Sequence, residues 1–86
     1  MDVKEITKKR NELNSVCINN AATGRRIRSL CKNSEITLGM LSEILGFAGQ
    51  QAVYNWVEGK AKPTLENIMK IALLFGIDVN EIIVIS

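Results

Sequence analysis

The chain has no histidine, two cysteines, one proline and few aromatics, namely one tryptophan, one tyrosine and two phenylalanines. Without histidine the commonest general base is missing, and no Ser/His or Cys/His nucleophile can be assembled, although carboxylate or lysine chemistry survives that argument. Cys17 and Cys31 supply neither a disulfide framework nor a His/Cys metal site, so both thiols are expected to be free and no cofactor is expected. Cys31 stands beside Lys32, but one basic neighbour is thin ground for a redox-sensing thiol. Long apolar runs are missing too: Lys70, Asp78 and Glu81 interrupt the C-terminal third before any segment reaches bilayer length. The start, Met1-Asp2-Val3-Lys4-Glu5, lacks the charged-then-apolar pattern of a signal peptide. A cytoplasmic protein with no membrane partner is the expectation.

What is present is aliphatic. Hydrophobic residues make up 47% of 86 positions, enough for one compact core and too short a length for two. With so few aromatics, that core is expected to be Ile, Leu and Val on helices, which makes the fold class all-α, a compact bundle of about five helices. The net charge of +2 hides an asymmetry: residues 1–33 carry eight cations against Asp2, Glu5 and Glu12, so they are +5 and the remainder is −3. A basic block suits a polyanion such as nucleic acid, though a solvated helix face has the same count.

Residues 1–20 have only a broken apolar pattern ending in Asn19-Asn20 and are read as an arm or appended element; residues 21–86 are read as the domain. Thr23 is a candidate cap for a first helix bearing Ile27 and Leu30, ended by Lys32-Asn33-Ser34. Thr37 caps a second of roughly two turns, with Leu38, Leu41, Ile44 and Leu45 at helical spacing and Gly46 as its stop. A third spans about 49–58, with Val53, Trp56 and Val57 inward, closed by Gly59 and Pro63. Thr64 caps a fourth bearing Leu65, Ile68, Ala72 and Phe75, ended by Gly76, and Asp78 with Glu81 forms a capping box for a last short helix. Val53, Trp56, Leu41, Ile27, Ile68 and Phe75 are expected in one core. Met40 and Met69, among Leu and Ile at helical spacing, are read as packing residues. The apolar run Ile82-Ile83-Val84-Ile85 exceeds what docking the last helix needs, and it is read as part of a homodimer interface.

Two short helices across a tight glycine-containing turn have the spacing of a helix-turn-helix, whose second helix enters the major groove. At about 100° per residue, Gln51, Tyr54, Asn55 and Glu58 lie opposite the apolar side of the third helix. Gln and Asn amides have the paired donor and acceptor that meet an adenine edge. The plainer reading is ordinary surface polarity.

The stretch Thr23 to Ile83 resembles the phage repressor and Cro-like, or XRE, family of helix-turn-helix regulators. The resemblance rests on Gly24-Arg25-Arg26-Ile27-Arg28-Ser29-Leu30, Leu41-Ser42-Glu43-Ile44-Leu45-Gly46-Phe47, Gln51-Ala52-Val53-Tyr54-Asn55-Trp56-Val57-Glu58-Gly59, Lys60-Ala61-Lys62-Pro63-Thr64-Leu65-Glu66-Asn67-Ile68 and Gly76-Ile77-Asp78-Val79-Asn80-Glu81-Ile82-Ile83. It implies a lambda-repressor-like DNA-binding domain in which Gln50, Gln51, Tyr54 and Asn55 lie near bases or adjacent phosphates. Thr37, Lys60 and Lys62 are implied beside the DNA backbone, as are Arg25 or Arg26 from the first helix. Trp56 and Gly59 are implied to be structural. Two departures stand out. Many members begin the second helix with Thr or Ser and then Gln, whose amide meets a phosphate, and here that second residue is Leu38; the stretch from Gly46 to Trp56 is also one residue longer than the commonest pattern.

The resulting expectation is a sequence-specific binder of double-stranded DNA, a transcriptional regulator acting as a repressor, homodimeric and without a catalytic step. The alternative is a protein-interaction module, such as the antitoxin of a toxin pair, in which residues 1–20 wrap a protein partner and DNA binding is secondary. A small enzyme using Glu43, Glu58 or Lys60 is disfavoured because those residues fall on exposed helix surface or a loop.

Overall fold

A computed structural model describes all of residues 1–86. It has five α-helices, α1 (Val3–Asn14), α2 (Asn20–Asn33), α3 (Leu38–Ile44), α4 (Gln51–Val57) and α5 (Leu65–Phe75), then a 3-10 turn over Val79–Glu81. The only β pairing is an isolated antiparallel bridge between Ile18 and Ile85. The expected all-helical class is what is observed.

The helix ends follow local chemistry. Thr37 Oγ1 accepts the Met40 N–H at 3.0 Å and Thr64 Oγ1 the Asn67 N–H at 3.2 Å. Each cap satisfies an otherwise orphaned donor, and losing one costs about 1 kcal/mol. Gly46 and Gly76 take the left-handed conformation after α3 and α5, which only glycine adopts without strain. The 3-10 turn is closed by the capping box, the Asp78 N–H donating to Glu81 at 2.8 Å.

The start of α2 and the last helix differ from the reading of the sequence, and the N-terminal element acquires a structure. Residues 1–20 contain a regular helix, α1, with none of its residues buried. α2 starts at Asn20 rather than after Thr23, because the Asn19 side chain accepts the Ala22 N–H at 3.0 Å. Thr23 lies inside the helix, buried, with its hydroxyl accepting the Val84 N–H at 3.0 Å. The last helix is only a 3-10 turn, and the apolar run behind it is consumed within the chain. Ile82 is fully buried, the Asn19 N–H donates to the Val84 carbonyl at 2.7 Å, and the Ser86 N–H donates to that of Cys17 at 2.9 Å. Ile85 alone of the run stays largely exposed.

Ile27, Leu41, Val53, Trp56 and Ile68 form one core with Cys31, Leu45, Val57, Ile71, Ala72 and Ile82, and Phe75 packs against it half-buried. Fully burying a side chain of the Leu or Ile kind contributes roughly 1.5–3 kcal/mol. Met40 and Met69, read as packing residues, are exposed, as is Leu65; the buried face of α5 runs through Ile68, Ile71 and Ala72. The stripe Leu65, Met69, Leu73, at four-residue spacing, lies beside that face and is 69%, 52% and 82% exposed.

The closest crossing is that of α2 with α4. A Cβ on Gly24 would collide with the Trp56 carbonyl oxygen and stand 2.9 Å from Val57 Cα, both backbone atoms that cannot step aside. Gly24→Ala is therefore expected to force the helices apart at a cost exceeding the roughly 1 kcal/mol that alanine gains as a better helix former, for a net loss of about 2 kcal/mol. Thermal unfolding should show the midpoint about 10 °C lower. Gly49→Ala, where a Cβ meets nothing within 4 Å, should stay within about 0.5 kcal/mol of the parent; equal stability of the two variants would refute the close crossing.

Candidate nucleic-acid interface

α3 and α4 are joined by residues 45–50. Leu45 caps α3, Gly46 turns the chain, and the Phe47 N–H donates to the Ser42 carbonyl at 2.9 Å. The Phe47 ring meets that of Trp56 edge to face, 5.7 Å between centroids. With Val53, Trp56 and Val57 buried, α4 presents its other side: Gln51, Tyr54 and Glu58 are exposed and Asn55 is half-buried.

Two of the predicted residues are joined directly. Gln51 Nε2 donates to Asn55 Oδ1 at 2.9 Å, the i, i+4 geometry of one helix face. That bond leaves Gln51 Oε1 as an acceptor and Asn55 Nδ2 as a donor, neither bonded elsewhere in the protein. The Asn55 backbone carbonyl accepts N–H groups from Lys60 at 2.9 Å and Ala61 at 3.2 Å, fastening the following loop to α4. Gly59 makes that return possible: it is left-handed at φ 75°, and a Cβ there would stand 2.9 Å from Ala21 Cα.

The remaining candidates separate into groups. Gln50 precedes α4 without capping it by its side chain, and it lines a recess of about 350 Å³ with Thr37, Gly39 and Ser42 of the α3 end. Lys60 Nζ is paired with Glu58 at 2.9 Å, and Lys62 is exposed without an ion pair. Arg25 and Arg26 stand elsewhere, lining a recess of about 630 Å³ with Ser29, Asn33 and Glu81 and with no residue of α3 or α4. Arg26 Nη1 donates to the Asn80 carbonyl at 3.2 Å, so it ties α2 to the 3-10 turn. Arg28, also on α2, is the arginine whose charge adds to the lowering of the Glu58 pKa. Burial pushes the Cys31 thiol above its ordinary pKa, the opposite of what a redox-sensing thiol needs.

A bundle that presents one short polar helix across a tight turn from its neighbour has the architecture of a DNA-binding regulator. The family model described as helix-turn-helix matches residues 27–82, more than half of the chain, and the chain belongs to that family. It is a sequence-specific DNA-binding regulator of the phage repressor and Cro-like kind. The restriction-modification controller protein C.AhdI from Aeromonas hydrophila is similar in fold, with a TM-score of 0.64 and 24% identity, over 72% of this chain and 92% of that one. Among curated proteins no relative matches. No helix is long and apolar enough to cross a membrane.

The hydrogen bond and charge of Lys60 hold the Glu58 carboxyl below its ordinary pKa, with Arg28 adding to the effect. A lowered carboxylate pKa means that the small stabilisation from this exposed pair is present above the unfolded-state pKa and is lost as pH falls through the folded one. Carbon-detected NMR titration should find Glu58 titrating below the ordinary glutamate value, and Lys60→Ala should move it back up. An unmoved Glu58 in that variant would show that the pair does not form in solution.

Proposed function

We propose that the protein represses transcription by occupying a pseudo-palindromic site as a homodimer in the cytoplasm, with α4 in the major groove and no catalytic step. The observation that carries this is the Gln51–Asn55 amide pair. Its free acceptor and donor, held on the exposed face of α4, match the N6–H donor and N7 acceptor of adenine in the major groove. Because the two amides fix each other, little side-chain entropy remains to be lost on binding. Tyr54 lies on the same face and adds a ring and a hydroxyl. Lys62 and Lys60 supply phosphate contacts, Lys60 by exchanging Glu58 for DNA, and Arg28 takes the place first given to Arg25 and Arg26.

The dimer reading moves to α5. Leu65, Met69 and Leu73 form an apolar stripe extended by half-exposed Val79, and a two-fold axis lays such a stripe against its own copy. A dimer that reads a pseudo-palindrome needs its two α4 helices about 34 Å apart, one turn of duplex. A protein partner is favoured by a separate feature, α1. An isolated helix of its 12 residues is marginal in water, and Val3, Ile6 and Leu13 are exposed on it.

Selection from random duplexes would define the preferred site. On it, Gln51→Ala or Asn55→Ala should each cost roughly 1–3 kcal/mol while binding to random duplex barely changes, since base-edge bonds exist only where the right base stands. Lys62→Ala should weaken both duplexes alike and make log affinity against log salt shallower by about one unit. Identical behaviour of Gln51→Ala and Lys62→Ala would overturn these roles. For the dimer, Leu73→Glu should give a monomer in sedimentation and weaken binding to the full site far more than to a half-site. A parent protein that stays monomeric at micromolar and higher concentrations, free and on DNA, would refute the α5 interface.

A further inference from the structure

One surface cavity, of about 280 Å³, is walled by segments from four distant parts of the chain: Ile18 before α2, the loop at Lys62 after α4, Leu65 and Ile68 of α5, and Ile83 behind the 3-10 turn. It is more enclosed than the recesses beside Gln50 and Arg26, and its walls are mainly aliphatic. Lys62 is the only charged side chain at it and takes part in no ion pair, and no carboxylate lines it. Thr23, itself buried, also lines it; its hydroxyl accepts the Val84 N–H at 3.0 Å and gives its own proton to no group of the protein.

These walls specify a ligand of two parts. An ordered water makes about three hydrogen bonds, and aliphatic walls with one ammonium and a few hydroxyls offer too few partners for several waters, so an apolar chain displaces them favourably. One cation without a competing carboxylate calls for a single negative charge at the end of that chain, whereas a multiply charged phosphate ester would lose too much hydration against such walls. Sites for drug-sized molecules start near ~300 Å³, so this one suits a chain of roughly six carbons. We propose that the cavity binds a small aliphatic carboxylic acid as its anion, the chain against Ile18, Ile68 and Ile83 and the carboxylate on Lys62, and that the bound acid weakens DNA binding by drawing this lysine off the sugar-phosphate backbone. The flexible stem of a lysine serves either anion, but its one charge does not serve both at once. The effect on DNA rests on the proposed phosphate contact of Lys62; binding of the acid does not.

Hexanoate added to the full chain, labelled at its Ile and Leu methyl groups, tests the site by NMR. Saturable shifts are expected at Ile18, Leu65, Ile68 and Ile83, while Ile6 and Leu73, exposed outside the cavity, stay unmoved. From butanoate to hexanoate each added methylene should tighten binding about fourfold, a gain that ends once the cavity is full. Lys62→Met should remove the preference for hexanoate over hexan-1-ol while still binding the alcohol, which a misfolded variant would not do. On DNA, saturating hexanoate, compared with acetate at the same concentration, should weaken the parent on selected and random duplex alike and make log affinity against log salt shallower by about one unit. Lys62→Met, already weakened, should lose nothing more. Shifts that spread over Ile6 and Leu73 would overturn the proposal, as would shifts that follow protein concentration instead of hexanoate, because a second copy then covers the cavity. An unaltered acid preference in Lys62→Met would overturn it too, and so would full DNA affinity of the parent in hexanoate where Lys62→Met itself binds DNA weakly. If Lys62→Met binds DNA as the parent does, it is the phosphate role of Lys62 that fails and the effect on DNA with it, and the acid site then stands or falls on the methyl shifts and the acid preference.

Discussion

The backbone contact between α2 and α4 is the constraint on which the remaining geometry depends. Gly24 lets the α2 backbone come up to the Trp56 carbonyl, and one turn after α4 Gly59 lies against Ala21, so two positions without side chains clamp one helix across the end of the other. Once that crossing is set, α4 has no freedom to roll. Val53, Trp56 and Val57 must turn inward, and the opposite side, with Gln51, Tyr54 and Asn55, becomes the presented face. The same clamp brings Arg28, one turn beyond Gly24, to the Glu58 end of α4. A presented face on a helix of only seven residues depends on such packing, because so short a helix has no stability of its own.

The presented face and its surroundings divide the work by chemistry. The amides on α4 hold each other, whereas the cations sit at its end or in the following loop, and Lys60 is already paired with Glu58. Neutral amides lose little when a base with the wrong edge is presented, beyond leaving their own groups unpaired in a dry groove. That penalty is what makes them discriminate. Cations attract any phosphate. Under the proposed docking, placing the two kinds on separate elements lets recognition and general attraction be tuned independently, and the double acceptance by the Asn55 carbonyl keeps the loop in register with α4.

Most of the framework from α3 onward was legible because it is written in single-residue chemistry. Thr37 and Thr64 cap where capping side chains were read, Gly46 and Gly76 stop where a left-handed residue was needed, and Asp78 with Glu81 closes its box. The segments that misled are those decided by partners distant in the chain. Thr23 has the composition of a cap, yet its hydroxyl serves Val84, 61 residues away, while Asn19 does the capping. The C-terminal run looked surplus because its use, covering the start of α2 and pairing with residues 17–19, is non-local. For α5, periodicity named two adjacent stripes without saying which faces inward. At the candidate site, the side of α4 that would be polar was readable from about 100° per residue, but the Gln51–Asn55 bond was not. Arg25 and Arg26 share a motif with Arg28, and only the direction of α2 separates the residue near α4 from the one bonded to Asn80.

The charge distribution then bears on how much of the binding depends on sequence. The overall charge is only +2, and beyond residue 33 it is negative, so the half that holds α4 offers little net attraction to a polyanion. Glu58 stands next to the lysine that would meet the backbone, and a carboxylate there repels phosphate in any pose in which Lys60 has not been drawn away. Loose, sequence-independent encounters thus gain little from this half of the molecule. Under the proposed dimer the consequence sharpens: two copies on one duplex double the base-edge contacts, and linking them converts the second binding event into an intramolecular one. A weakly basic reader in which each copy alone gains little from phosphates therefore owes a larger share of its occupancy to the correct pair of half-sites, and its grip on DNA follows the concentration of the chain through the apolar stripe on α5.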